Sequence, residues 1–328
     1  MLENVIILLV SLAALMWSAD KFVYGAAALA RNLGLSPLII GLTIVAMGSS
    51  APEMMVAASA SLADKADTAI GNVIGSNITN ITLVLGVTAL LKPMLVGSIT
   101  VRRELPFILA TSLIAVYFIY DLQFTRTEGI LLAVLFFITI GYLAYASIHK
   151  TPEEAANPDL YEDEVSDDVP EGVPIHMAIF WLALGLTILL LSSDFLVDSA
   201  VFIAKEFGIS DLVIGLTIIA IGTSLPELAA SIAGVVKGED DLALGNIVGS
   251  NIFNALAVLC IPGIIAPGAV DPAAVSRDSL IMIAVTVLLI LMAIGIGKGP
   301  RSINRMEGGV LLACFIAYQY LLFGMANG

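Results

Sequence analysis

Gly48-Ser49-Ser50-Ala51-Pro52-Glu53 returns 174 residues later as Gly222-Thr223-Ser224-Leu225-Pro226-Glu227. Working outward from that stretch, the same shift lays Gly41-Leu42-Thr43-Ile44 on Gly215-Leu216-Thr217-Ile218 and Gly75-Ser76-Asn77-Ile78 on Gly249-Ser250-Asn251-Ile252. Between 41–81 and 215–255 there are 18 identities in 41 ungapped positions. Asp20 meets Asp194 and Arg103 meets Arg277 at the same offset; an insertion of five then aligns Arg126, Glu128 and Gly129 with Arg305, Glu307 and Gly308. Register held over that distance marks a duplicated unit, and such a repeat decides the architecture before any local signal does.

The unit is built for lipid. The 328 residues are 59% hydrophobic and 13% charged, where a soluble domain carries about 25% charged residues. Ten apolar runs read as membrane spans, at 4–30, 36–62, 67–92, 102–121, 127–148, 174–204, 210–236, 241–266, 278–297 and 306–325. Several exceed the roughly 20 residues a bilayer requires, so tilts or breaks are expected. Five spans per copy is an odd number, which turns the second copy upside down. The expected fold is therefore all-α and integral to the membrane: ten transmembrane helices as two inverted five-helix repeats, with helices 2 and 7 broken by proline. Inverted repeats with a shared midplane site characterise secondary transporters. The expected division is 1–150 for the first repeat, 151–173 for a linker and 174–328 for the second repeat.

Loop charges set the orientation. Nine lysines and arginines fall on one side and four on the other, which predicts the richer side as cytoplasmic and both termini outside a cell (inner) membrane. The 151–173 segment, with nine acidic and no basic residues, then lies in the cytoplasm. It lacks an EF-hand pattern and reads as a solvated linker, not as a calcium sensor. The first span has no basic n-region and takes part in the repeat, so it is expected to stay in the mature protein. Cys260 and Cys314 read as small buried hydrophobes.

The chemistry lies in the repeated motifs. Pro52 has no N–H and clashes with the carbonyl four residues back, which is expected to free carbonyls around Ala46–Gly48, and likewise at Ala220–Gly222. At membrane depth a freed carbonyl must line a cavity or meet a partner. Ser49 and Ser50 stand four and three residues before Glu53, on its face if the helix continues through. A charge at mid-span costs about 2.5–3.5 kcal/mol, so Glu53 and Glu227 call for a function and a partner. The alternative is a glutamate neutralised by burial or paired with a base; the flanking spans hold only Lys21, which adjoins Asp20, and Lys92, at the last position of its span. Asn72, Ser76 and Asn80 recur every four residues, as do Asn246, Ser250 and Asn254, giving each helix one polar stripe. Such stripes read either as helix–helix glue or as ion ligands. Asp20 and Asp194, taken as lying near helix ends, suggest a structural role, with Lys21 pairing locally to Asp20.

Two carboxylates, hydroxyls, amide oxygens and carbonyls make an all-oxygen donor set. That suits hard cations; zinc or copper would call for His or Cys, and both histidines, His149 and His176, lie at the linker ends. Two glutamates would neutralise one Ca²⁺, and Na⁺ could take the same oxygens in its place.

Together, the paired Gly-Ser-Ser-Ala-Pro-Glu and Gly-Thr-Ser-Leu-Pro-Glu segments, each followed by Gly-Asn-x-x-Gly-Ser-Asn-Ile-x-Asn, resemble the α-repeats of the cation/calcium antiporter superfamily. The likeness is nearest to its sodium/calcium exchanger branch in bacteria and archaea, and it covers the whole chain. It implies a secondary antiporter, not an enzyme, that exchanges Ca²⁺ for Na⁺ by alternating access without a cofactor. It further implies acidic ligands at Glu53 and Glu227, hydroxyl ligands at Ser49, Ser50, Thr223 and Ser224, and carbonyl ligands at Ala46 and Ala220. Ser76, Asn80, Ser250 and Asn254 match further ligand positions. Many relatives carry Asp where this chain has Asn254, which bears on stoichiometry and on potassium or proton dependence. The expected partners are the bilayer and the two ions, with no nucleic acid and no obligatory protein. A Ca²⁺/H⁺ antiporter of the same superfamily and a passive cation channel are the competing readings. Relatives of the former usually carry Gly-Asn-x-x-Glu where this chain has Pro-Glu.

Overall fold

The computed structural model describes residues 2–98, 100–148, 172–208, 218, 220–295 and 301–326. Among them the chain is almost entirely helical. In order come α1 (Leu2–Leu33), α2 (Pro37–Ser49), α3 (Ala51–Leu62), α4 (Ala66–Leu91), α5 (Leu105–Ile119) and α6 (Arg126–Ile148). The second half gives α7 (Ile175–Glu206), the single turn α8 (Ala220–Gly222), α9 (Leu225–Val236), α10 (Asp240–Ile265), α11 (Ala274–Ile294) and α12 (Arg305–Ala326). Seven of these are long and apolar enough to cross a bilayer, and the bent pair α2–α3 makes an eighth. The protein is a multi-pass membrane protein. Of the two remaining expected spans, 102–121 corresponds to α5 with the π-helical turn Thr100–Glu104 that leads into it. The other, 210–236, is represented by α8 and α9, since 209–217 and 219 lie outside the described residues.

Local sequence explains the breaks. Gly34, at φ +65°, takes the left-handed conformation that a side chain resists, so α1 turns into α2 within three residues. Pro37 opens α2 and Pro52 opens α3, at positions where a missing N–H costs nothing. Between α2 and α3 the axis bends by 43° at Ser50; proline as the cause of a sharp kink is the expected physics.

Burial sorts the helices into layers. In α4 and α10, 78% and 83% of the apolar window is buried, against 22% in α1, α6, α7 and α12. The polar stripes therefore sit on the two most enclosed helices, and the outer four turn residues such as Leu9, Phe137 and Phe195 outward. One large apolar cluster joins α3–α6 with α9–α12. A second gathers α1 and α7, which cross closely because Gly25 meets the backbone at Leu182 and Gly185 the backbone at Phe22.

Among the described residues four two-residue strands join the helices: β1 (Met94–Leu95), β2 (Gln123–Phe124), β3 (Gly268–Ala269) and β4 (Ser302–Ile303). They pair antiparallel as β1–β4, with Met94 opposite Ile303, and β2–β3, with Phe124 opposite Gly268. Each pair takes one strand from each half.

Asp20 and Asp194 fall well inside 32-residue helices, not near their ends, because α1 runs on to Leu33 and α7 to Glu206. Lys21 does pair with Asp20, at 3.2 Å, and Lys237 joins the same carboxylate at 2.7 Å. Cys260 and Cys314 are free and only half-buried. Residues 151–171 of the acidic linker and His149 lie outside the described residues, and His176 is exposed.

Candidate functional site

Glycine sets the distance between the elements that carry the site. A Cβ on Gly41 would stand 2.5 Å from the Leu242 carbonyl oxygen, and one on Gly245 would stand 2.5 Å from that of Leu38. Gly249 is as tight against Leu42. Helices α2 and α10 thus cross backbone to backbone, which small residues alone permit. The crossing brings the end of α2, with Ser49 and Ser50, against α10 and the start of α9.

Glu53 and Glu227 occupy the first turns of α3 and α9 and are both fully buried. The two carboxylates lie near enough for their charges to repel. Ser50 Oγ donates to Glu227 Oε1 at 3.0 Å, and Ser49 Oγ donates to Asn246 Oδ1 at 3.1 Å. The two serines therefore do not turn to Glu53. The reason is the break itself: with Ser50 at φ −82°, ψ 12°, the helix does not continue through, and the hydroxyls point across the molecule.

Asn246 fixes these proton positions. Its Nδ2 donates to the Glu227 carbonyl at 3.3 Å and to Ser231 Oγ at 3.1 Å. A carbonyl can only accept, so the amide nitrogen must face it and Oδ1 must face Ser49. The Ser49 proton is then committed to Oδ1, and that of Ser50 to a carboxylate. Both hydroxyl oxygens keep their lone pairs for another partner.

The Ala46 carbonyl is less free than the proline alone would suggest. It accepts the Ser50 N–H at 3.0 Å and stands 3.4 Å from Ser49 Oγ, because the bend at Ser50 keeps that N–H in reach. In the second copy the Ser224 N–H goes to Ile221 at 3.0 Å, and the Gly222 carbonyl accepts from Ser193 Oγ at 3.3 Å. Ala220 opens α8, and its side chain lies outside the described residues.

Other candidate groups are buried without partners. Glu53 Oε1 and Oε2, Glu227 Oε2, the hydroxyls of Thr223, Ser224 and Ser250, and both amide atoms of Asn80 and Asn254 are buried. None has a hydrogen bond among the described residues. Ser76 lies beside the Glu53 carboxylate without closing a hydrogen bond to it. Each orphaned polar atom costs about 1–3 kcal/mol, and buried orphans are rare enough that each needs an explanation. A cation that accepts oxygen lone pairs supplies one for most of this group. Among the described residues no group of three or more His, Cys, Asp or Glu is placed to hold a metal ion.

Two features escaped the sequence. Asn80 and Asn254 each begin a π-helical turn, Asn80–Val84 and Asn254–Val258, a local widening often found at functional positions. The stripes are also unequal. Asn246 is fully buried and hydrogen-bonded throughout, whereas Asn72 is half-exposed with its Nδ2 unpartnered among the described residues. Gly71 beside it is open, while its counterpart Gly245 is packed.

Known proteins resemble the chain in sequence and fold. The model of the family described as sodium/calcium exchanger protein matches residues 3–145 and 177–324, one match in each half. CaxA of Alkalimonas amylolytica, whose name proposes an antiporter, is 56% identical over 98% of this chain and 99% of its own. The inner membrane protein YrbG of Escherichia coli (strain K12) is 40% identical over 99% and 98%. A solved structure of the sodium-calcium exchanger NCX_Mj, soaked with Na⁺ and Sr²⁺, superposes with a TM-score of 0.79 at 31% identity, covering 96% of this chain and 97% of that one. By these matches the chain belongs to the sodium/calcium exchanger family, within the cation/calcium exchanger superfamily of transporters.

Proposed function

We propose that this protein is a secondary antiporter that exchanges Ca²⁺ for Na⁺ by alternating access at one site shared by its two halves. The observation that carries the reading is the pair of fully buried glutamates, one per half, set among unpartnered oxygens. Two carboxylates balance one Ca²⁺, and the remaining hydroxyl and amide oxygens suit its taste for six to eight oxygen ligands. The same oxygens serve Na⁺, and competition for shared ligands is what couples two ions in exchange.

The ligands in this reading are Glu53, Glu227, Ser49, Ser50, Thr223, Ser224, Ser76, Asn80, Ser250 and Asn254, with the carbonyls of Ala46 and Ala220. Its frame is ten spans in two inverted repeats, 1–150 and 174–328, joined by the 151–173 linker. Strand pairs that each draw on both halves support that frame, as does the family match in each half. An inner-membrane location with both termini outside and the linker in the cytoplasm follows from the loop charges.

The test is Ca²⁺ flux in proteoliposomes under an imposed Na⁺ gradient, with Glu53→Gln and Glu227→Gln as controls. Sodium-driven flux abolished by either substitution is the expected result. Unchanged flux in both variants would sink the site. Drive by a pH gradient without sodium would assign the chain to Ca²⁺/H⁺ exchange, and gradient-independent conductance would make it a channel.

A further inference from the structure

The ion site uses neither Lys21 nor Lys237, nor the groove that ends beside them. This groove, of about 370 Å³, runs between α1 and α9. Leu12, Leu15 and Met16 line one wall, and Leu225, Leu228 and Ile232 the other. Spacings of three and four residues place each wall on a single helix face. Asp20 and Lys237 close one end, joined at 2.7 Å. Lys21 shares the same carboxylate at 3.2 Å and stands 5.6 Å above the Trp181 ring. Two ammonium groups thus divide one carboxylate. Among the described residues the mouth of this otherwise apolar groove carries two ammonium groups to one carboxylate, and all three side chains are partly exposed.

Length and depth agree with a single occupant. From Leu225 to Val236, α9 rises about 16 Å, roughly half of the ~30 Å hydrocarbon core, which is one leaflet. Lys237, directly after the end of α9, and Trp181, near the start of α7, mark the headgroup level at that end.

We infer that the groove seats one acyl chain of an anionic phospholipid, with its phosphate beside Lys21 and Lys237. The chain fills apolar space that would otherwise lack contact atoms. A headgroup of net charge −1 complements the spare ammonium, whereas a zwitterionic headgroup brings a cation of its own to the lysines. The seated chain lies along the helix that carries Glu227.

The protein contains its own reporter. It has two tryptophans, and Trp17→Phe leaves Trp181 alone at the mouth. In phosphatidylcholine bilayers doped with brominated lipid, brominated phosphatidylglycerol is expected to quench Trp181 at a several-fold lower mole fraction than brominated phosphatidylcholine. That preference should vanish in Lys21→Gln/Lys237→Gln, and also in Ala229→Phe, which fills the groove and leaves the lysines in place. Equal quenching by the two lipids in the Trp17→Phe parent overturns the site. A preference that survives Ala229→Phe means that the headgroup alone is held and overturns the groove. Should the lysine variant fail to fold, Ala229→Phe decides. None of these readings depends on ion transport.

Discussion

The Ser50 hydroxyl of the first half donates to Glu227 Oε1 of the second across 3.0 Å, with both groups fully buried. A hydrogen bond to a charged group in such a setting contributes about 1.5–3 kcal/mol. Ser50→Ala should therefore raise the KM for Ca²⁺ in sodium-driven flux by roughly tenfold or more, each 1.4 kcal/mol being a factor of ten. Expression should stay near that of the parent, because the change removes one small oxygen. An unaltered KM would mean that this hydroxyl neither holds Glu227 nor meets the ion.

Asn246 acts on the site through Ser49 and so is a positioning residue. Asn246→Ala should raise the KM for Ca²⁺ more than it lowers the maximal rate. Placed on a Ser49→Ala background, it should cost little further. A double-mutant cycle measures this, and fully additive losses would show that the two residues act independently. Asn246→Asp keeps the acceptor for the Ser49 proton and should recover part of the loss.

The crossing of α2 on α10 makes an asymmetric prediction about glycine. Gly245→Ala drives a methyl group into the Leu38 carbonyl, a contact that backbone cannot yield to cheaply. Its apparent melting temperature in detergent should fall by several degrees, in line with a core overpacking cost of about 1–3 kcal/mol. The equivalent Gly71→Ala meets open space and should melt within a degree or two of the parent. Equal losses at both positions would contradict the packing described for α10.

Pro52→Ala restores the N–H that proline lacks, and with it the bond to the Gly48 carbonyl. A straighter α2–α3 would withdraw Ser50 from Glu227. Ca²⁺ exchange should drop at least tenfold while thermal stability holds or rises; retained exchange would mean that the 43° bend survives without its proline.

Much of this was legible in the sequence, and for identifiable reasons. Duplication preserves register, so the helical membrane class, the Pro-Glu breaks and the two buried glutamates could be read from repetition and hydropathy alone. Which group each side chain meets could not. Ser49 and Ser50 were expected beside Glu53 because helical spacing ranks neighbours within one helix. A break at Ser50 voids that spacing and hands the hydroxyls to Asn246 and Glu227. Nor does equivalence in sequence imply equivalence in contact: Asn72 and Asn246 align, yet only Asn246 is enclosed. The π-helical turns at Asn80 and Asn254 and the two-residue strands are too short to leave a periodic signal. The interior position of Asp20 and Asp194 was itself legible, since the apolar runs 4–30 and 174–204 already extend well past both residues.

The four short strands have a mechanical consequence. Between β1 and β2 lies α5 with its leading turn, some 20 residues and about 30 Å of helix, so the two strand pairs sit at opposite rims of the bundle. Each stitches an edge of one half to an edge of the other, like a pair of clasps on one clamshell. Clasped at both rims, the two halves resist splitting along the seam between them. The clasps touch neither α1 nor α7, which meet each other backbone to backbone at Gly25 and Gly185 and so form a pair outside that stitching.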